Sequence, residues 1–387
     1  MENHFFRLTN AIVLWLIVAA SFSINLPVAF GSVSLGLFLI FWIISGAYNQ
    51  KFSLISQHPG ARIALALLTL YALGMTYSSA SWHDSFHYLM KYAKVLIIPL
   101  VIGFSFSDRY RKYAINAFLI SMIGYLLISY LNWLGFFSFG VMRHGTYMAL
   151  AAYFMLRNAK RKAGQFRLIW ALLSALTIIN VLFIADVRTG IVTLAALLVM
   201  FAFETWRVKG LMYVAGLGLV ALLIYKNIHD THNLRVVGIQ NEVTNNESSA
   251  GQRLEMYRHT FILIKHHPVF GGGTGSIEGE YTNLIKDDQS VFIRKVTNPH
   301  NQYLMTTQEL GLFGLLMLIS FWAVHWWQSY RLETAEAGYL LRALIVSTAF
   351  GSAFNSLLLD SGDGRMYCIL AGVLLSGYQT KRVGQSS

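Results

Sequence analysis

Apolar runs long enough to cross a lipid bilayer recur along nearly the whole chain, and they limit what it can fold into. Hydrophobic residues make up 55% of the sequence and charged residues 12%, about half the charged share of an ordinary soluble domain. The runs show no alternation of polar and apolar residues, which favours helices over a membrane barrel. We therefore predict an all-α polytopic membrane protein with about 12 transmembrane helices of about 20 residues each. The spans are predicted near 11–25, 29–48, 61–79, 91–106, 112–136, 144–157, 166–184, 188–204, 209–226, 300–328, 338–358 and 364–381.

The basic residues follow a pattern that orients these spans. A formal net charge of +12 could indicate a nucleic-acid partner. Most of this charge, however, falls in loops on one side of the predicted bundle, including the run at 157–167, so the positive-inside rule makes that side and both termini cytoplasmic. We predict membrane lipids as neighbours and no nucleic acid. The chain then divides into residues 1–226 with helices 1–9, an outward-facing loop at 227–299, and residues 300–387 with helices 10–12.

The outward-facing loop contains one segment with a helical pattern. Ser249 and Gln252 have the spacing of a capping box, which predicts a helix start. The apolar face of this amphipathic helix is predicted from four residues at helical spacing: Leu254, Tyr257, Phe261 and Ile264. Arg253 falls in the first turn, where the helix dipole disfavours a cation. A residue that is locally unfavourable and brings no local gain points to a functional role. We expect this helix to lie on the membrane surface or over the mouth of the bundle.

The loop closes with the string TNPHNQYL at 297–304, at the start of the next predicted span. Asn298 is a suitable helix cap and Pro299 suits the first helical position, so His300 is predicted in the first turn. There the helix N-terminus would disfavour imidazolium, and the side chain would be neutral near pH 7 and able to accept a proton.

Several cations are predicted at the outer side of the bundle. Arg143 and Arg188 lie in very short connections between apolar helices. Lys91 and Lys94 stand one turn apart at the end of an aromatic segment at 78–94, which we expect at the outer interface. Such side chains either reach toward lipid headgroups or bind an anionic substrate, and the sequence leaves both alternatives open.

Three other features have simple structural explanations. The glycine run FGGGTGS at 270–276 lacks the lysine of a P-loop, so we predict a flexible turn, with anion binding as the lesser alternative. Glu309 lies at depth in a predicted span, where we prefer a hydrogen bond to a neighbouring helix over a proton pathway. We interpret the loop histidines as solvated side chains rather than metal ligands. They stand at 229, 232, 259, 266 and 267.

These motifs together resemble those of the O-antigen ligase and polymerase superfamily. The strings HPVFGGGTGS and PHNQYLMTTQELGLFGLL are similar to the family signature, VRTG at 187–190 to its arginine motif, and GQRLEMY at 251–257 to its loop arginine. The resemblance implies a GT-C-like glycosyltransferase of a bacterial inner membrane, with the loop at 227–299 in the periplasm. It also implies a glycan donor carried on undecaprenyl pyrophosphate, an acceptor sugar of the lipid A core in the ligase branch, and no metal or other cofactor.

The residue chemistry agrees with what the resemblance implies. A sugar pyrophosphate already carries a good leaving group, so an enzyme mainly has to hold that anion and remove a proton from the acceptor hydroxyl. Arginine suits the first task through forked contacts with phosphate oxygens. Our hypothesis is that Arg188 and Arg253 bind the pyrophosphate and that His300 is the general base of a single inverting displacement. Further substrate-binding residues are expected among five side chains: Arg143, Lys91, Lys94, Asn301 and Tyr303.

Other functions share parts of this pattern. A polymerase would transfer the glycan to another repeat unit, and a protein O-oligosaccharyltransferase would transfer it to protein. A lipid-linked sugar transporter or flippase would also suit many helices and outer cations, but the polar candidates gather on one face, and we find no internal repeat. A transporter leaves the glycan on its carrier, whereas a transferase releases undecaprenyl pyrophosphate.

Overall fold

The structure, a computed structural model, describes residues 2–104, 106–136, 145–185, 187–210, 248–288 and 295–378, with single residues at 212, 215, 216, 291 and 293. Its named elements are helices. They are α1 (Glu2–Phe22), α2 (Val28–Ile44), α3 (Tyr48–Gln57), α4 (Pro59–Thr76), α5 (Trp82–Tyr92), α6 (Ile97–Ile102), α7 (Asp108–Trp133), α8 (Gly145–Arg161), α9 (Gly164–Ile179), α10 (Arg188–Trp206), α11 (Ser249–His266), α12 (Ile277–Ile285), α13 (Gln302–Ser329), α14 (Ala335–Gly351) and α15 (Ser361–Leu375). A 3-10 turn joins α5 to α6, and a π turn at Asn180–Ile184 extends α9.

Seven helical segments in the described ranges are long and apolar enough to cross a membrane, or eight if the bent pair α2 and α3 forms one span. An all-α membrane protein is therefore confirmed. Three predicted spans correspond to the shorter helices α8, α14 and α15, of 17, 17 and 15 residues. The predicted span at 209–226 lies mostly outside the described residues, so the total of twelve stays a prediction.

One predicted boundary is wrong. The segment 78–94 was expected at the membrane surface, with Lys91 and Lys94 at the outer end of the next span. Instead α5, the 3-10 turn and α6 form one apolar segment, Trp82–Ile102. Ser81 caps it by accepting a hydrogen bond from the Asp84 N–H at 3.1 Å, so the helix starts earlier than hydropathy alone indicates. Both lysines therefore lie inside this segment.

A break in the long helix α13 organises the core. Gly311 has φ 62° and ψ −158°, which interrupts the helical hydrogen-bond ladder. The glycine loop at 268–276 replaces the lost partners: Leu312 N–H donates to the Pro268 carbonyl at 2.9 Å, and Gly273 N–H donates to the Glu309 carbonyl at 2.8 Å. Backbone groups at this depth must be satisfied inside the protein, and the loop does so.

The glycine loop is therefore neither a flexible turn nor an anion cradle. Gly271 to Ser276 are all buried. The amide groups of Gly272, Gly273 and Thr274 donate to carbonyls of α13 and α4, and Gly275 N–H donates to the Glu309 carboxylate at 2.7 Å. The Tyr92 hydroxyl also donates to that carboxylate, at 3.2 Å. Glu309 thus makes the structural hydrogen bonds that we preferred over a proton pathway.

The helix predicted in the outward-facing loop is confirmed as α11, but its buried face is different. Ser248 rather than Ser249 caps it, by accepting from the Gly251 N–H at 2.9 Å. The most buried side chains are Met256, His259, Thr260 and Leu263. Leu254 and Phe261, two residues of the predicted apolar face, are each 53% exposed. In a membrane protein exposed apolar side chains can face lipid, so apolar spacing does not identify the packed face.

Ion pairs collect at the end of the bundle opposite the start of α13. Arg157 binds Glu336 at 2.7 Å and Arg342 binds Glu204 at 3.2 Å, where α14 begins. The other end of α14 lies near His300, because Gln302 N–H donates to the Ser352 carbonyl at 2.8 Å. A helix the length of α14 spans about 25 Å, so the bundle separates a basic, ion-paired end from the end that carries His300.

We expect Gly273→Ala to destabilise the protein by at least about 2 kcal/mol, because a Cβ is strained at positive φ and would collide with neighbouring backbone. Gly273 has φ +94°, and an added Cβ would lie 2.2 Å from the Ser78 Cα. Gly279→Ala is the matched control, since no atom lies within 4 Å of its added Cβ. Thermal unfolding of the purified protein in detergent should show a lower Tm for the first variant alone. Equal Tm values would mean that the loop does not dock as described.

Candidate functional site

His300 precedes α13 instead of lying in its first turn. Asn301 is the actual cap, and its Oδ1 accepts from the Tyr303 and Leu304 N–H groups at 3.0 and 3.1 Å. Asn298 forms a turn: its Oδ1 accepts from the His300 N–H at 2.8 Å. Asn-Pro suits either a helix start or a turn whose third residue has positive φ, and His300 has φ 55°. The predicted helix start is therefore wrong by three residues, and the first-turn argument for a neutral imidazole does not apply.

The imidazole of His300 is held on one nitrogen only. Its Nδ1 lies 2.9 Å from the Asn355 Oδ1. Its Nε2 has no hydrogen-bond partner among the residues that the structure describes. Asn355 in turn donates from Nδ2 to the Asp360 Oδ2 at 2.7 Å. The His300 side chain is half-buried, so its Nε2 is the nitrogen left for a substrate.

The loop that carries Asn355 and Asp360 is fixed to the start of α13. The buried Gln302 accepts hydrogen bonds on Oε1 from the Leu358 and Leu359 N–H groups, at 3.0 and 3.1 Å. Lys94 reinforces the same loop by donating to the Leu359 and Asp360 carbonyls, at 2.9 and 2.8 Å. The loop at 352–360 is therefore a rigid support beside His300.

Helix α11, which carries Arg253, contacts the backbone of His300. Tyr257, one turn after Arg253, donates its hydroxyl to the His300 carbonyl at 3.1 Å. Burial raises the pKa of the Tyr257 hydroxyl, and the nearby guanidinium of Arg253 opposes that shift. Within the described part of the chain, Arg253 has no carboxylate partner. A half-buried arginine with no carboxylate partner among the described residues, on a helix that contacts His300, is suited to holding an anion.

Arg188 begins α10, four residues after the π turn ends at Ile184, as the short connection in the sequence indicates. The helix packs closely there, since a Cβ on Gly190 would lie 2.6 Å from the Gly145 Cα. Thr193 packs beside Gly351, where α14 ends. Arg188 lies about 7 Å of helix rise beyond Thr193, which places it at the His300 end of the bundle. Arg143 lies outside the described residues.

A cavity of about 710 Å³ adjoins the loops that hold His300. Its apolar wall includes Leu35, Phe38, Leu96 and Leu100. Its polar rim includes Lys91, Lys94, Asn298, Asp360 and Arg365. An apolar groove with a mainly cationic rim fits a long-chain lipid with an anionic head group.

The rim cations are held by different contacts. Lys94 uses two of the three hydrogens on its ammonium for backbone carbonyls, which leaves one for a ligand. Lys91 lies over the Tyr88 ring, with Nζ 4.4 Å from the ring centre. Arg365 donates to the Ser361 and Val28 carbonyls at 2.7 and 3.0 Å. Burial raises the pKa of Asp360, while Lys94 and His300 oppose the shift.

Two expected substrate-binding residues are engaged inside the protein. Asn301 caps α13 with Oδ1 and donates from Nδ2 to the Ala353 carbonyl at 3.0 Å. Tyr303 donates its hydroxyl to the Ala349 carbonyl at 2.7 Å. Neither residue is part of the site proposed below. Asn355 was absent from the sequence interpretation, because it lies in an apolar stretch with no motif around it.

No group of three or more His, Cys, Asp or Glu side chains that could hold a metal occurs in the described ranges. Of the loop histidines, His259 is buried and packs against Tyr281, with ring centres 5.6 Å apart. His229 and His232 lie outside the described residues.

The model of a family described as O-antigen ligase matches residues 172–319, a range that includes Arg188, Arg253 and His300. No curated protein matches the chain. The matched range covers the glycine loop and the part of α13 that contains the break at Gly311, but it includes neither Lys91 and Lys94 nor the loop with Asn355.

Because Asn301 caps α13, we expect Asn301→Ala to lower stability by about 1 kcal/mol relative to Asn301→Ser, which can still cap. Both variants lose the bond from Nδ2 to the Ala353 carbonyl, so their difference isolates the cap. Thermal unfolding in detergent measures it. Equal stability of the two variants would show that Asn301 does not cap the helix.

Proposed function

We propose that this chain is a member of the O-antigen ligase and polymerase superfamily and is its ligase type of membrane glycosyltransferase. It transfers an O-antigen glycan from undecaprenyl pyrophosphate to a hydroxyl of a lipid A-core sugar, on the periplasmic side of the inner membrane. The observation that carries this proposal is the free Nε2 of His300 beside a lipid-sized cavity with a cationic rim.

The donor fits the chemistry of the cavity. A polyprenyl chain occupies the apolar groove, where burial of each CH₂ group contributes about 0.8 kcal/mol. Lys91 and Lys94 at the rim, together with Arg188 and Arg253, neutralise the pyrophosphate. The two arginines supply forked contacts, and the lysines supply single ammonium donors. Arg143 remains a predicted member of this set.

The reaction is a single displacement. The acceptor hydroxyl oxygen forms a bond to the anomeric carbon of the donor sugar, and the bond from that carbon to the pyrophosphate oxygen breaks. Undecaprenyl pyrophosphate leaves with the electron pair, and His300 takes the hydroxyl proton on Nε2. The configuration at the anomeric carbon is inverted. The protein supplies a base, cationic stabilisation of the leaving group and alignment, and the residues named here need no metal for these tasks.

We expect His300→Ala to reduce transfer about 10²- to 10⁴-fold, the usual contribution of a positioned general base, without loss of donor binding. The assay uses purified protein, a lipid-linked glycan and lipid A core, and follows glycan transfer and the release of undecaprenyl pyrophosphate. Near-normal transfer by this variant would exclude the base assignment.

The same assay separates the branches of the superfamily. Product that forms only when lipid A core is present supports the ligase. Longer lipid-linked chains without core would instead indicate a polymerase, and labelled protein would indicate a protein O-oligosaccharyltransferase. A glycan that stays on its carrier while it crosses the membrane would indicate a transporter.

We expect Lys91→Gln to raise the KM for the lipid-linked donor up to about tenfold, since one charged contact with phosphate is worth about 1.4 kcal/mol. Lys295→Gln removes the same charge from a lysine whose side chain is 70% exposed and lies outside the cavity. This control should leave the KM unchanged. An equal KM for both variants would remove Lys91 from the donor site.

A further inference from the structure

A chain of hydrogen bonds runs from Asp360 through Asn355 to His300. The Asp360 Oδ2 and the Asn355 Nδ2 are 2.7 Å apart, and the Asn355 Oδ1 and the His300 Nδ1 are 2.9 Å apart. All three side chains are half-buried, and none of their links passes through solvent. Asn355 and Asp360 are five residues apart in one loop, whereas His300 lies 55 residues before Asn355, so the fold brings the imidazole to this loop.

The chemistry of these groups decides which group donates and which accepts at each step of the hydrogen-bond chain. A carboxylate only accepts hydrogen bonds, so Asp360 requires the NH₂ group of Asn355. The carbonyl oxygen of that amide then faces the imidazole, and an amide oxygen also only accepts. The Nδ1 of His300 must therefore carry the hydrogen, which leaves the lone pair of the neutral ring on Nε2.

The backbone around these three residues is fixed as well. Asn355 N–H donates to the Gly351 carbonyl at 3.0 Å, and Asp360 N–H donates to the Ser356 carbonyl at 2.9 Å. On the other side, Ser356 donates its hydroxyl to Asn298 Oδ1 at 2.6 Å, and the same oxygen holds the His300 N–H. The loop and the imidazole are thus positioned relative to each other before substrate binds.

We propose that Asn355 is a positioning residue which, with Asp360 behind it, holds His300 in the tautomer protonated on Nδ1. This inference rests on the proposed role of His300 as the base. The acceptor proton then moves to Nε2, the hydrogen on Nδ1 stays in place, and the Asn355 oxygen faces the positive charge that forms on the ring. After transfer the proton leaves Nε2 for water.

The first test breaks the hydrogen-bond chain by substituting one residue at a time. Asn355→Ala frees the ring to take either tautomer, and Asp360→Asn frees the Asn355 amide to reverse. We expect each variant to lower kcat about 10- to 100-fold, below the full contribution of the base, with the donor KM changed less than about twofold. Ser352→Ala is the matched control in the same loop, because that hydroxyl has no hydrogen-bond partner among the described residues. It should keep the native kcat.

The second test exchanges the side chains at positions 355 and 360. In the double variant Asn355→Asp with Asp360→Asn, the carboxylate at 355 accepts from both the amide at 360 and the Nδ1 hydrogen. The same tautomer is held by a chain with exchanged groups, so kcat should recover at least about fivefold over Asp360→Asn alone. A purely structural role for Asn355 predicts no such recovery. Thermal unfolding and donor KM confirm that each variant is folded.

The outcomes separate this inference from the proposed function. Loss of transfer in His300→Ala with native kcat in Asn355→Ala would overturn the positioning role and leave the base assignment intact. Native transfer in His300→Ala would overturn both. A folded double variant no better than Asp360→Asn alone would overturn the directional hydrogen-bond chain.

Discussion

The need to satisfy backbone groups within an apolar bundle is the constraint on which this structure depends. The break at Gly311 leaves amide and carbonyl groups of α13 without helical partners, and the glycine loop supplies them. Side chains larger than glycine would collide with the opposing backbone at Gly271 and Gly273. This docking anchors the C-terminal side of α11 to the bundle. Because α11 also packs against α13, Tyr257 reaches the His300 carbonyl, and Arg253 lies near the Tyr257 hydroxyl.

A second set of backbone contacts holds the other side of the site. Gln302 links the start of α13 to the loop at 352–360, and Lys94 links that loop to the segment Trp82–Ile102. His300 and the rim of the cavity therefore share a rigid support. The same lysine thus supports the loop and contributes charge to the proposed donor site. Such a support allows a base to act on an acceptor while the pyrophosphate is held nearby, which is the main requirement of a displacement with a good leaving group.

Local patterns in the sequence predicted several structural elements correctly. The helix α11, the abrupt start of α10 at Arg188 and the membrane-spanning class all follow from periodicity, short connections and hydropathy. Local patterns failed where one motif fits two structures. Asn-Pro suits both a helix cap and a turn, and the turn was formed because Asn301 could cap the helix instead. The apolar stripe of α11 did not identify the face that packs on the protein, because apolar side chains such as Leu254 and Phe261 can stay exposed where they face lipid.

The sequence by itself determined that this is a helical membrane protein and which cations and which histidine are candidates for its chemistry. These conclusions depend on hydropathy and residue type, which are local properties. Only the tertiary structure decided that the glycine loop closes a broken helix, that Lys91 and Lys94 line a cavity, and that Asn355 and Asp360 stand behind His300. Those facts depend on contacts between residues up to hundreds of positions apart, and a hydrogen bond between distant residues leaves no local pattern in the sequence.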